Sequence, residues 1–174
     1  SKLSKKYIIY CINRKKIKKQ NINKNIKVIY YRNLNQLNLK LNKISVDAVI
    51  HCATHYKKNH KFNDIKKFSE SNLIFGNIIL ENMSSKIFIN FTTVWENYNG
   101  KRNNFFNLYS VFKRGFSNLI HYYKQKYPKT KFYNLFVSDT FGDGDKREKI
   151  INVIKNNHKK NKITKIISSK LFLN

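Results

Sequence analysis

The chain has 174 residues, of which 41% are hydrophobic and 14% aromatic, which excludes a disordered polypeptide and suits one domain with its own core. Its longest apolar run, Tyr7–Ile12, is too short to cross a bilayer, and two cysteines, Cys11 and Cys52, make no disulfide framework, as expected of a reducing cytoplasm. The net charge of +27 predicts general adhesion to polyanions, but only five of the 36 basic residues are Arg and the lysines are scattered among Asn, Ile, Tyr and Phe, which resembles coding bias more than a dedicated nucleic-acid surface.

In chain order, strand and helix patterns alternate. Lys6–Ile12 reads as a strand, followed by the basic Asn13-Arg14-Lys15-Lys16. Ile26–Tyr31 is a second strand and Leu34–Lys43 a short helix with Leu at 34, 37, 39 and 41. Asp47–His51 is a compact apolar strand, and Asp64–Met83 has helical spacing of Ile65, Phe68, Leu73, Phe75 and Ile79. Lys86–Phe91 is a strand, Leu108–Lys126 a long amphipathic helix, Lys131–Val137 a strand and Lys146–Lys159 a basic helix. The tail from Ile163 reads as one more strand. Near-continuous apolar strands alternating with helices predict a single α/β domain over 1–174, a Rossmann-like parallel sheet with helices on both faces. Ligands in such sheets bind beyond the carboxyl ends of the strands, which directs attention to the segments after His51, Phe91 and Val137.

Three small residues, Cys52, Ala53 and Thr54, follow the third strand; they either admit a flat ligand close to the backbone or merely turn the chain. A metal site from His51, Cys52 and His55 lacks evident acidic and supporting partners. After Phe91 come Thr92 and Thr93, whose hydroxyls either meet a substrate oxygen or reflect the β-propensity of Thr. Then Tyr109 and Lys113 open a helix. A spacing of four puts two side chains on one helix face, about 5–6 Å apart at Cβ. The same spacing recurs at Tyr122–Lys126 and Tyr127–Lys131, so it decides nothing alone. Tyr127 precedes Pro128, and Tyr122 lies at the far end of its helix. Only Tyr109–Lys113 follows a Thr-bearing strand end. There an ammonium is expected to bring the phenol down toward a working range for proton transfer.

Taken together, DAVIHCAT, ESNLIFGNIILENM, FINFTTVWENYN, NLYSVFK and FVSDTFGDGDKREKI resemble, in the right order, the segments of the extended short-chain dehydrogenase/reductase superfamily, in its NAD-dependent epimerase/dehydratase family. The likeness covers residues 45–155 and is strongest to 4-keto-sugar reductases and epimerases of the CDP-abequose synthase type. The resemblance implies an enzyme acting on a nucleotide sugar in the synthesis of bacterial surface polysaccharide, with NAD or NADP as cofactor, a cytoplasmic location and a homodimeric parent. It implies Tyr109 as general acid/base, with Lys113 lowering its pKa and meeting the nicotinamide ribose. Thr93 would be the catalytic hydroxyl, since the usual Ser/Thr position falls on Phe91. Cys52, Ala53, Thr54, Asn72 and Ser138 would line the cofactor, and Thr92 and Asp139 would face the substrate. Arg14 either pairs with a 2′-phosphate, favouring NADP, or belongs to a solvated loop.

The family's glycine-rich phosphate loop has no counterpart, because no glycine precedes Gly76. With no Met at its start and the family's substrate region absent, the chain reads as a fragment truncated at both ends, expected to bind dinucleotide weakly or not at all. Two other readings stand beside the enzyme: a relative that keeps the fold without catalysis, and a basic nucleic-acid binder.

Overall fold

The computed structural model describes residues 2–15, 23–42, 44–138, 140 and 150–165. Strand β1 (Ile9–Asn13) pairs in parallel with β2 (Ile26–Tyr30), and β3 (Ile44–His51), β4 (Met83–Thr93) and β5 (Lys131–Val137) form a second parallel sheet in that order. Between them run α1 (Leu34–Leu41), α2 (Asp64–Ser69), α3 (Phe75–Asn82), α4 (Leu108–Lys126) and, after β5, α5 (Ile150–Lys159). The α/β class and the parallel strands match the sequence pattern. The expected helix at 64–83 is nearly continuous, but Glu70–Ile74 winds as a π-helix between α2 and α3. Part of the expected basic helix, 146–149, and most of the expected tail strand lie outside the described residues.

Two strands run longer than their apolar cores suggest. β3 begins at Ile44 and β4 at Met83, because Ile44, Ser45 and Val46 pair with Met83, Ser84 and Ser85. Serine has little strand preference of its own, so the ladder supplies what side chains do not.

One core joins the elements. Leu37 and Leu41 of α1, Phe75, Ile79 and Leu80 of α3, and Phe116, Ile120 and Tyr123 of α4 bury against Val49 and Phe88. Tyr31, just after β2, stacks on Phe75 at 5.9 Å and so ties the first sheet to the helices over the second. Burial of each such side chain contributes about 1.5–3 kcal/mol. Among the described residues these helices lie on one face. The other face of β3–β4–β5 carries the cross-strand row Ile50–Ile89–Tyr133, with Ile50 and Tyr133 about half exposed, and α5 has no buried residue. No helix among the described residues is long and apolar enough to cross a membrane.

Candidate active site

The carboxyl ends of β3 and β4 meet the start of α4. That start is set by a capping box, in which Asn107 Oδ1 accepts from the Ser110 amide at 3.1 Å and Ser110 Oγ accepts from the Asn107 amide at 3.3 Å. Tyr109 therefore sits in the first helical turn, half-buried, and Lys113 one turn further, 3% exposed.

Asn72, in the π-helical turn and 1% exposed, clamps the loop after β3. Its Oδ1 accepts from the Thr54 hydroxyl at 3.0 Å and the His55 amide at 2.6 Å, and its Nδ2 donates to the His55 carbonyl at 3.0 Å. Thr54 in turn lies against the Tyr109 phenol. A hydroxyl has one proton, so Thr54 serves either Asn72 or Tyr109 as donor, not both. Around the phenol stand Tyr56, edge-on at 5.2 Å, and Trp95 at 6.4 Å, with Phe106 behind Trp95 at 5.1 Å.

Both threonines at the end of β4 are buried and engaged. Thr92 donates to Glu96 Oε1, and Thr93 Oγ1 accepts from the Trp95 amide at 3.3 Å, capping the turn Val94–Gly100. Phe91, level with Leu135, stands on the face opposite Thr92. Under the site runs a polar ladder in register across three strands: His51 Nδ1 meets Asn90 Oδ1 at 3.1 Å, and Asn90 Nδ2 donates to Asn134 Oδ1 at 2.9 Å. His51 is enclosed by Phe75, Phe88 and Phe116, and that burial holds its pKa down at about 4, against the hydrogen bond to Asn90 Oδ1.

The electrostatics correct one expectation. The Tyr109 phenol is not held down: burial pushes its pKa up, the Thr54 hydroxyl opposes this, and Glu96 and Tyr56 add to the rise. Lys113 is itself desolvated, which brings its pKa down to about 8 against the pull of Glu96 and Cys52. A buried ammonium spends its field on those neighbours and on His51 rather than on the phenol. Burial likewise raises the Cys52 thiol.

The structure thus brings Thr54, Asn72, Tyr109 and Lys113 together, with Cys52 and Ala53 exposed beside them and Thr92 and Thr93 at the neighbouring strand end. Ser138 is exposed just after β5, and Asp139 lies outside the described residues. Arg14 stands apart, at the end of β1, where its Nε donates to the Tyr31 hydroxyl at 2.9 Å; with Arg32, Asn33 and Glu70 it lines a cavity of about 360 Å³. A larger cavity, about 680 Å³, opens at the amino ends of β3 and β4, lined by Ile44, Asp47, Met83 and Lys86. The competing tyrosine at 122 is exposed and its Lys126 is held by Glu81 at 2.8 Å, while Lys131, four after Tyr127, begins β5. Among the described residues no group of three or more His, Cys, Asp or Glu is gathered to hold a metal.

Sequence reasoning passed over Tyr56 and Glu96 and gave Trp95 no role in the site. Glu96 had a signal: it is one of nine acidic residues in the chain and follows a Thr-bearing strand end by three positions.

The model of the NAD dependent epimerase/dehydratase family matches residues 2–170. No curated protein matches the sequence. Among solved structures, the Bordetella bronchiseptica enzyme WbmH in complex with NAD+ is similar with a TM-score of 0.65 at 14% identity, over 92% of this chain and 56% of that one. A UDP-glucose 4-epimerase gives 0.60 at 14%, over 85% and 52%, and Pen from Bacillus thuringiensis 0.53 at 16%, over 80% and 42%. The chain therefore spans about half the length of the first two. At these identities the likeness is one of fold, whereas the family match runs through nearly every residue: the chain belongs to the NAD dependent epimerase/dehydratase family.

Proposed function

We propose that this chain carries the cofactor-side half of a nucleotide-sugar epimerase, dehydratase or reductase, with Tyr109 as its proton-transfer group. The observation that carries the reading is the convergence of Tyr109, Lys113 and the Thr54–Asn72 clamp on the carboxyl edge of β3 and β4. WbmH is described with NAD+ and a second neighbour as a UDP-glucose 4-epimerase, which supports a dinucleotide and a sugar nucleotide as ligands.

The residues fit the nicotinamide half of a dinucleotide: Cys52, Ala53 and Thr54 offer an open, small-residue approach beside the half-buried phenol. Bound there, nicotinamide supplies hydride transfer. Tyr109 would exchange a proton at its phenolic oxygen with a sugar hydroxyl or ketone. Its raised pKa suits it to donate that proton, and the Lys113 ammonium four residues on is the candidate to favour the phenolate that remains. Thr93 is the candidate second hydroxyl, with Thr92 and Asp139 toward the substrate and Ser138 near the nicotinamide. Tyr56 and Trp95 wall the site on the side of the phenol. Arg14 and Arg32 at one cavity favour a 2′-phosphate, hence NADP, over the NAD of the family name. The enzyme reading carries a cytoplasmic location and a homodimeric parent with it.

Trp95 is the only tryptophan, so its emission reports on this site alone. Energy transfer from Trp95 to reduced dinucleotide is expected at millimolar but not micromolar concentration, stronger for NADPH than for NADH, because no glycine loop in this sequence cradles the pyrophosphate. No transfer to either at millimolar concentration in the folded protein would remove the cofactor reading. In protein with turnover, Tyr109→Phe is expected to lower kcat at least about 100-fold with the fold intact; near-normal activity would remove Tyr109 from its role.

A further inference from the structure

The seam beneath Tyr109 holds a charge that the reading above does not use. Glu96 is 0% exposed, although the turn it belongs to reaches solvent at Asn99 and Gly100. Thr92 donates to its Oε1. Its Oε2 has no hydrogen-bond partner, and the nearest cationic atom, Arg114 Nη1, stands at 3.7 Å. An enclosed carboxylate with a half-satisfied head is costly unless a nearby charge compensates it. The compensation comes from α4, which turns both Lys113 and Arg114 toward the seam. With Glu96 ionised the three groups sum to one positive charge, and without it the buried Lys113 and the partly exposed Arg114 are left as neighbouring cations with no carboxylate beside them.

We propose, on the footing of the Tyr109–Lys113 reading, that Glu96 is a positioning residue: a buried counter-charge, anchored by Thr92 and 3.7 Å from Arg114, for the buried Lys113 ammonium on the same helix as Tyr109. Its complete burial bars it from touching substrate, so it acts through Lys113 and Thr92. The groups facing this seam are Thr92 and the Thr93 backbone from β4, Tyr109, Lys113 and Arg114 from α4, and His51 and Cys52 at the end of β3. Burial raises Glu96 to about 7, opposed first by Arg114 and then by the Thr93 backbone and Lys113. Among the groups acting on Lys113, Glu96 is the first to oppose its desolvation. The carboxylate and the ammonium therefore support each other's charge just above neutrality.

The test is a titration of lysine ¹³Cε signals in the full chain without any ligand. One lysine is expected to titrate near pH 8, apart from the surface lysines, and to vanish in Lys113→Arg. In Glu96→Gln its midpoint is expected to fall by about one unit or more, a tenfold or greater loss of ammonium relative to amine. Glu96→Asp, which keeps the charge, should return it most of the way. An unchanged midpoint in folded Glu96→Gln overturns the proposal. Should Glu96→Gln not fold, Thr92→Val is read instead: it removes the anchor and leaves the charge, a smaller fall is expected, and no fall overturns the proposal. Because ionisation is read without cofactor or turnover, an active Tyr109→Phe enzyme would defeat the catalytic reading and leave this measurement standing.

Discussion

Asn72 shows how much of the site rests on one amide. Its carboxamide meets Thr54 and both backbone polar groups of His55, so the loop after β3 is held by a side chain on the helix rather than by its own turn. Asn72→Ala leaves the His55 amide and carbonyl without their partner and opens a void, and is expected to cost about 2–4 kcal/mol by urea denaturation, since each stranded buried polar group costs about 1–3 kcal/mol. Hydrogen exchange at the His55 amide should accelerate at least tenfold in the folded state; unchanged protection would mean the loop is held by something else. Tyr109 teaches a related point. Its neighbour at four residues is a lysine, yet the phenol rises because desolvation acts on both partners and the lysine is drawn to Glu96 and Cys52. Spacing puts two groups on one face, and burial then decides which charge each of them favours.

At the level of the elements, α3 and α4 approach closely where Gly76 lies. A Cβ there would stand 2.4 and 2.5 Å from two ring atoms of Phe116, and 3.1 Å from His51 Nε2. Alanine is the better helix former by about 1 kcal/mol. The clash outweighs that, because Phe116 is 1% exposed and packed in the core, with nowhere to swing. Gly76→Ala is expected to lower stability by about 1–3 kcal/mol in urea, and equal or greater stability would show that α4 can yield. The π-helical turn two residues earlier has a matching local effect, carrying Asn72 inward to the loop that it clamps.

Across the whole molecule, two buried titratable groups oppose each other in pH. His51 has a folded pKa of about 4 against 6.5 unfolded, so the stability it contributes is present above 6.5 and is lost as pH falls toward 4. Glu96 is the reverse: raised from 4.5 to about 7, it contributes stability that is full below 4.5 and is lost as pH rises through 7. Each shift of this size corresponds to about 3 kcal/mol. Between pH 6.5 and 4.5 the two slopes offset, and the depressed carboxyls of Asp64 and Glu81, held by Lys57 and Lys126, act lower still. Glu96→Gln removes one side of the balance. Its stability relative to wild type is expected to fall by about 1 kcal/mol for each pH unit between 6.5 and 4.5, measured by urea denaturation at fixed ionic strength; parallel profiles for the two proteins would refute the assignment.

Alternation of apolar strands with helical periods was enough to read the α/β class and the parallel strands, because burial of strand side chains leaves its imprint residue by residue in local hydropathy, whereas the family showed in the resemblance of five ordered segments. The sequence also singled out Tyr109, Lys113 and Thr54 by their places near strand and helix ends, and the resemblance added Asn72; the structure sets Asn72 against Thr54 and Thr54 against Tyr109. Sequence reading did not find Glu96, Tyr56 or the burial that pushes the phenol's pKa up, nor the division of the strands into two sheets, nor the Ser-rich start of β4. Those depend on which distant groups folding brings side by side: Glu96 with Arg114, Tyr56 with Tyr109, Ser84 with Ser45. A chain of letters carries its own periodicity, but the cost of burying a charge is set by the company that folding assembles around it.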